Sequence, residues 1–375
     1  MWKSPNLGNS VTPGEVPRER VILDNLVDRL TKILPEAWSV RLDQEPNDRV
    51  SPRHGDNAPD AVLVLRAPEG EEAMVLIEAK RRLDPKLVPV VVDQLQRGAR
   101  HRDYEARMVA AAYLSPRTRT ALTEAGLGYV DTTGNLRLAL DRPSLFIVTE
   151  GASADPWPRS DDRPLRSLKG PTASRVVRAL CDFRPPYGVG ELARRSNTSL
   201  ASVSRVIAFL DLEDLITREP RGPVVDVKWD NIIRRWTEDY SFQRANSTHS
   251  YLEPRGIPAL LGKLAEASWR YSLTGSLVAA RVAPVAAPRL ATLYVERADV
   301  AGKALCLHPG GAAANVIIAE PFDPVVFDRT WTRDGNTFAA LSQVAADLLT
   351  GPGRSPAEGE ELLRWMRENE DVWRA

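Results

Sequence analysis

The chain has 375 residues, which predicts two or three domains at about 150 residues each. Its 50 Lys and Arg balance 50 Asp and Glu, and 43% of its residues are hydrophobic, so a polycationic chain and a wholly disordered one are both excluded. Two cysteines far apart in sequence, Cys181 and Cys306, and four scattered histidines leave no disulfide framework and no CxxC zinc pattern. The N-terminal MWKSPNLGNSVTPGEVP lacks an apolar stretch, and no run of about eighteen apolar residues follows, so a cytoplasmic protein without membrane contact is expected.

Residues 1–18, rich in Pro, Gly, Ser and Asn, predict a flexible tail. From Arg18 to Leu34 the apolar spacing of Val21, Ile22, Leu26, Val27, Leu30 and Ile33 predicts a helix. A strand at Ser39–Leu42 follows, then two apolar runs, Ala61–Leu65 and Met74–Ile77, which read as a β-hairpin with a long turn. A helix starts near Pro89 and a strand covers MVAAAYL. Ser115 and Pro116 open a short helix that ends near Gly126. GYVDTTGNLRLAL and SLFIVTE complete an α-β-β-β-α-β-α-β-β order over residues 19–150, a mixed sheet flanked by helices. Tyr129, Asp131 and Asn135 fall in the first of these segments, where a tight turn at Thr132–Gly134 accounts for them. Residues 151–170, with Pro, Gly and Ser but no periodicity, read as a linker.

The sharpest chemical signal is Pro59-Asp60, seventeen further residues, then Glu78-Ala79-Lys80. Strand side chains alternate, so Glu78 and Lys80 share a face while Ala79 points away. If the two strands pair, Asp60 lies beside Glu78, and a hard divalent cation relieves the repulsion of two adjacent carboxylates. The Ala79 carbonyl could add a third oxygen, and Lys80 could orient water and offset charge on a pentavalent phosphate. Charged strand ends also commonly just face solvent. Together, motif and element order resemble the PD-(D/E)XK nuclease superfamily. The resemblance implies a restriction-endonuclease-like fold, Mg²⁺ (or Mn²⁺) held by Asp60, Glu78 and Ala79, and catalysis by Asp60, Glu78 and Lys80. Relatives often place a polar residue of the next helix near the scissile phosphate, which here offers Gln94 and Gln96, themselves readable as solvated helix positions. Asp24, Asp28 and Glu36 are candidate first-helix carboxylates, among which the sequence does not choose. Between Arg81 and Arg119 nine cations face four carboxylates, consistent with a nearby phosphate backbone or with a solvated face.

Residues 171–240 show three helical segments, the third capped by Ser199 with Leu200, Val203, Val206, Ile207 and Leu210 on its apolar face, and then two short strands around Pro220–Gly222. ELARRSNTSLASVSRVIAFLDLEDLITRE resembles bacterial winged helix-turn-helix regulators, departing at Asp214, where such proteins commonly carry Gly. That likeness implies double-stranded DNA as partner, read by Ser199, Ser202, Ser204 and Arg205, with Arg218 and Arg221 of the wing reaching phosphate or minor groove. The segment is nearly neutral, so affinity would draw on neighbouring basic surface or on a homodimer. Residues 248–375 alternate helices and strands and close on an acidic amphipathic helix. Gly275-Ser276 resembles the opening of a nucleotidyltransferase site, but the next strand, ATLYVE, carries only Glu296, so a degenerate α/β domain is expected. The stretch is similar to AbiEi-family regulators of type IV toxin–antitoxin systems, which implies a toxin or defence-system partner. The fold class expected is thus α/β and α+β, multidomain. Two functions stand: a winged-helix-directed, Mg²⁺-dependent DNA endonuclease, or an AbiEi-like promoter-binding regulator or antitoxin without nuclease activity. A phage-defence component combining both roles is a third.

Overall fold

A computed structural model describes residues 15–43, 60–99, 103–157, 165, 167–219 and 222–375. The chain is mixed α/β and divides into two compact units, Met1–Arg163 and Pro164–Ala375. Among the described residues no helix is long and apolar enough to cross a membrane.

The first unit runs α1 (Glu19–Ile33), β1 (Ser39–Asp43), β2 (Ala61–Arg66), β3 (Glu72–Lys80), α2 (Val88–Gly98), β4 (Ala106–Ala111), α3 (Pro116–Glu124), β5 (Gly128–Asp131), β6 (Leu136–Leu140) and β7 (Leu145–Thr149). All seven strands form one sheet in sequence order. Pairing is antiparallel at β1–β2–β3 and β5–β6–β7 and parallel at β3–β4–β5. The helix between β3 and β4, and that between β4 and β5, supply the crossovers parallel pairing requires. The middle of the sheet is covered on both faces. Ile22, Leu23, Leu26 and Leu30 of α1 pack on Leu63, Leu65, Val75 and Ile77, whereas Val88, Val91 and Leu95 of α2 and Leu122 of α3 pack on Val62, Val64, Leu76 and Val109. Burial on both faces explains why β2 reads as a continuous apolar run rather than an alternating one.

GYVDTTGNLRLAL forms two strands, not one, so the order gains a strand. The cause is Asp131, whose Oδ1 accepts the backbone N–H groups of Thr133, Gly134 and Asn135 at 2.9–3.1 Å and thereby closes a turn. Its Oδ2 accepts Leu114 N–H and Asn135 Nδ2, and the buried Asn135 amide is further held by Arg119 and Gly151. These polar residues are structural.

The second unit runs α4 (Pro171–Asp182), α5 (Val189–Arg195), α6 (Leu200–Leu212), β8 (Ile216–Arg218), β9 (Val224–Val227), α7 (Trp229–Thr237), α8 (Phe242–Ala245), β10 (Ser247–Leu252), α9 (Gly256–Ala265), β11 (Tyr271–Thr274), α10 (Ser276–Ala279), β12 (Ala291–Val295), α11 (Ala298–Ala304), β13 (His308–Pro309), β14 (Val316–Glu320), β15 (Trp331–Arg333), β16 (Asn336–Phe338), α12 (Leu341–Leu349), α13 (Ser355–Glu368) and α14 (Glu370–Trp373). A seven-stranded sheet has the order β13-β10-β14-β12-β11-β16-β15, and β8 with β9 forms a separate hairpin. A main apolar core extends from Leu168, just before α4, to Met366 in α13, and a smaller cluster gathers Phe242, Tyr294, Ala319, Val326 and Phe327. Helix α7, with Ile232, Ile233 and Trp236 buried, is an element the sequence reading passed over.

Buried polar bonds join the same parts. The Arg178 guanidinium of α4 donates to Asp182 at 2.9 Å, to Gln343 Oε1 at 3.1 Å and to the carbonyls of Val325 and Asp328. One helical turn on, Asp347 accepts Tyr240 Oη at 2.7 Å, Thr274 Oγ1 at 2.6 Å, Tyr294 Oη at 2.9 Å and Gln343 Nε2 at 2.8 Å. Burial pushes the Asp347 carboxyl above the usual carboxylate range although these four donors pull it down.

Candidate functional site

The β2–β3 register pairs Ala61 with Ile77, so Asp60, one residue before β2, comes level with Glu78. Asp60 Oδ2 accepts the Ala79 N–H at 2.7 Å, which ties the carboxylate to the end of β3. In a strand the N–H and C=O of one residue point the same way, so the Ala79 carbonyl faces the Asp60 side as well. Ala79's side chain packs in the core beneath α1, while Glu78 and Lys80 project to the opposite face and form a close ion pair. Glu78 is 1% exposed and Lys80 is one-third exposed, so the pair lies at the C-terminal end of an interior strand, where the covered sheet opens.

Electrostatics separates the two roles. Burial pushes the Glu78 carboxyl above its ordinary range, opposed by the Lys80 hydrogen bond and reinforced by the charge of Asp60. For Lys80, burial works to lower the ammonium, but the hydrogen bond and charge of Glu78, with Asp60 and Glu19, hold it above its ordinary value. Lys80 is therefore a fixed cation at neutral pH. Glu78 Oε2 is buried without a well-formed hydrogen bond, although the Gln94 amide of α2 lies close enough to favour the charged carboxylate. An unpartnered carboxylate oxygen, beside a second carboxylate and a backbone carbonyl, is a donor set of the kind a hard cation takes. Among the described residues no three His, Cys, Asp or Glu side chains gather as metal ligands, so a cation here would rest on two carboxylates plus backbone oxygen and water.

The helix phase distinguishes Gln94, which is half-buried and directed at Glu78, from Gln96, which is exposed. Asp24, Asp28 and Glu36 are exposed, and none of them influences Glu78 or Lys80. The carboxylate that does is Glu19, at the first position of α1, which sequence reasoning missed. Several cations of the 81–119 stretch are committed within the unit: Arg82 to Asp155 at 3.0 Å, Arg97 to Asp93 at 2.8 Å and Arg119 to Asn135 at 2.6 Å. Pro59, Arg100 and Arg102 lie outside the described residues.

In the second unit, Ser199 caps α6 by accepting Ser202 N–H at 3.2 Å, and the two hydroxyls bond at 2.9 Å. Arg205 leans on Ser202, while Ser204 and Arg205 are exposed. Leu200 is not on the apolar face, as the sequence reading placed it; it is 59% exposed because the first residue of α6 points away from Val203, Val206, Ile207 and Leu210. Asp214 has φ 55°, which explains why a glycine suits that position; its carboxylate bonds Lys228 at 2.7 Å. Arg218 sits on β8, half-buried, and Arg221 lies outside the described residues.

The β11–β12 register pairs Tyr271 with Val295 and Thr274 with Thr292, which sets Glu296 at the far end of the hairpin from Gly275-Ser276. Cys306 and His308 are both exposed and belong to no ligand cluster among the described residues. Comparison with known proteins gave no match to a family model, to a curated protein or to a solved structure.

Proposed function

We propose that the protein is a DNA-binding protein whose first unit hydrolyses phosphodiester bonds, as the likeness to PD-(D/E)XK nucleases implies, and whose second unit carries a winged helix that selects the DNA. The observation that carries this reading is the convergence of Asp60, buried Glu78 and Lys80 at one end of the β2–β3 pair, with one Glu78 oxygen lacking a hydrogen bond. Asp60, Glu78 and the Ala79 carbonyl would hold Mg²⁺ or Mn²⁺, which supplies a more acidic bound water and neutralises phosphate charge. Lys80, kept protonated by its neighbours, donates hydrogen bonds to water or a phosphate oxygen rather than accepting a proton. Gln94, on the Glu78 side of α2, favours the charged form of that carboxylate.

Incubation of the purified chain with supercoiled plasmid and Mg²⁺ tests this. Nicking should fall at least about a hundredfold in Asp60→Asn and in Lys80→Ala. Equal nicking by wild type and both variants, or none by any of them, overturns it.

One observation favours the regulator reading. The helices and hairpin of residues 171–227 share a core with the region similar to AbiEi proteins, and Arg175 and Arg178 bond across to Asp323, Gln343 and the Val325 carbonyl, making DNA reading the property of a unit that lacks the carboxylate pair. In that case the chain binds its own promoter, pairs with a toxin or other defence component, and uses the first unit as a DNA clamp. Retention of upstream DNA in a gel shift, lost in Arg205→Ala, without any nicking, distinguishes this reading.

A further inference from the structure

The outward surface of α6 is unusually poor in hydrogen-bonding groups for a helix read as entering the major groove. Leu200, Ala201, Ser204, Arg205 and Ala208 are exposed and fall in an arc of about 140° at 3.6 residues per turn, opposite the buried Val203, Val206, Ile207 and Leu210. Ser199 and Ser202 are occupied with each other at the cap. Over its first three turns the surface therefore offers one guanidinium, one hydroxyl and three aliphatic groups, with half-buried Asp211 in the same arc at the C-terminal end and with the exposed Arg194 on the neighbouring α5 and Arg218 on β8 as further cations.

In the major groove the one feature that aliphatic groups match is the thymine C5-methyl. We infer that the duplex this helix selects is read mainly through thymine methyl groups, packed on Leu200, Ala201 and Ala208, with a single guanine taken by Arg205. The inference rests on the winged-helix reading and goes beyond it by naming the base chemistry recognised. The flanking arginines favour DNA as the occupant over an apolar protein surface, since they would meet phosphates on either side of the groove.

The test selects a tight duplex from a random library with the full chain, then replaces its thymines by deoxyuridine, which keeps the pairing and removes the methyl. Affinity should fall about fourfold for each methyl in contact, so more than tenfold for two. Leu200→Ser, at a position outside the core, should fold normally by circular dichroism and show a smaller difference between thymine and uracil duplexes. Equal affinity of the wild type for both duplexes overturns the inference and leaves DNA binding standing. Failure to retain any duplex overturns both. A Leu200-dependent dimer in sedimentation, with DNA binding unaffected by Leu200→Ser, assigns the face to a second copy and also overturns it.

Discussion

Glu78 is held where its charge is costly, because burial raises its carboxyl and Asp60 adds a like charge, against the compensation of Lys80 and, more weakly, of Gln94. An acid whose folded-state value is raised binds its proton more tightly folded than unfolded. Its contribution to stability is therefore fully present below the unfolded carboxylate range and is lost as pH rises through the folded value. Glu78→Gln, which removes the charge and keeps the shape, should melt about 2–4 °C above wild type at pH 7.5 and converge with it near pH 4. Added Mg²⁺ should raise the wild-type melting temperature and leave Glu78→Gln unmoved; a variant that melts lower at pH 7.5, or gains equally from Mg²⁺, contradicts this account. Asp214 poses a different residue-scale question. Its φ of 55° is strained for a side-chain-bearing residue, and its exposed Lys228 pair adds little. Asp214→Gly should be neutral or stabilising in urea denaturation, whereas Asp214→Ala should cost about 1 kcal/mol.

At the scale of elements, the second unit is fastened by polar groups that a dry core would not contain. Asp347 of α12 takes hydroxyls from Tyr240 after α7, from Thr274 of β11 and from Tyr294 of β12. Asp347→Ala leaves those buried donors without an acceptor and should cost about 3 kcal/mol or more, with the helical segment and the sheet still melting in one transition. Two separated transitions within fragment 164–375 would show that the shared core does not couple them. None of this hub was legible in the sequence, because its members are scattered from position 240 to 347 and no periodicity links them. The β2–β3 hairpin was legible for the opposite reason: its two apolar runs are close in sequence, and alternation alone placed Glu78 and Lys80 on one face. Gln94 and Gln96 could not be told apart until the phase of α2 was known. Glu19 was hidden because it meets Lys80 across the sheet end from sixty-one residues away. Leu200 was misplaced because the first residue of a helix need not follow the stripe of the turns after it.

For the whole molecule, the decisive fact is that each unit buries apolar clusters of its own among the described residues. The first unit closes its own clusters on the two faces of the β1–β7 sheet, and the second builds a main core from Leu168 to Met366 with a smaller cluster around Tyr294. Chains that bury their apolar surface separately should fold separately. Fragments 1–163 and 164–375, expressed alone, should each melt cooperatively, and calorimetry of the intact chain should show two transitions, of which Asp347→Ala moves only one. The proposed functions should divide along the same line. Fragment 164–375 should retain the selected duplex within about threefold of the full-chain affinity and leave plasmid intact, while fragment 1–163 should nick plasmid in Mg²⁺ without preference for that duplex. Loss of sequence preference in 164–375, or of nicking in 1–163 despite a cooperative melt, would mean that each function needs residues from both units, and the assignment of reading to one and cutting to the other would fall.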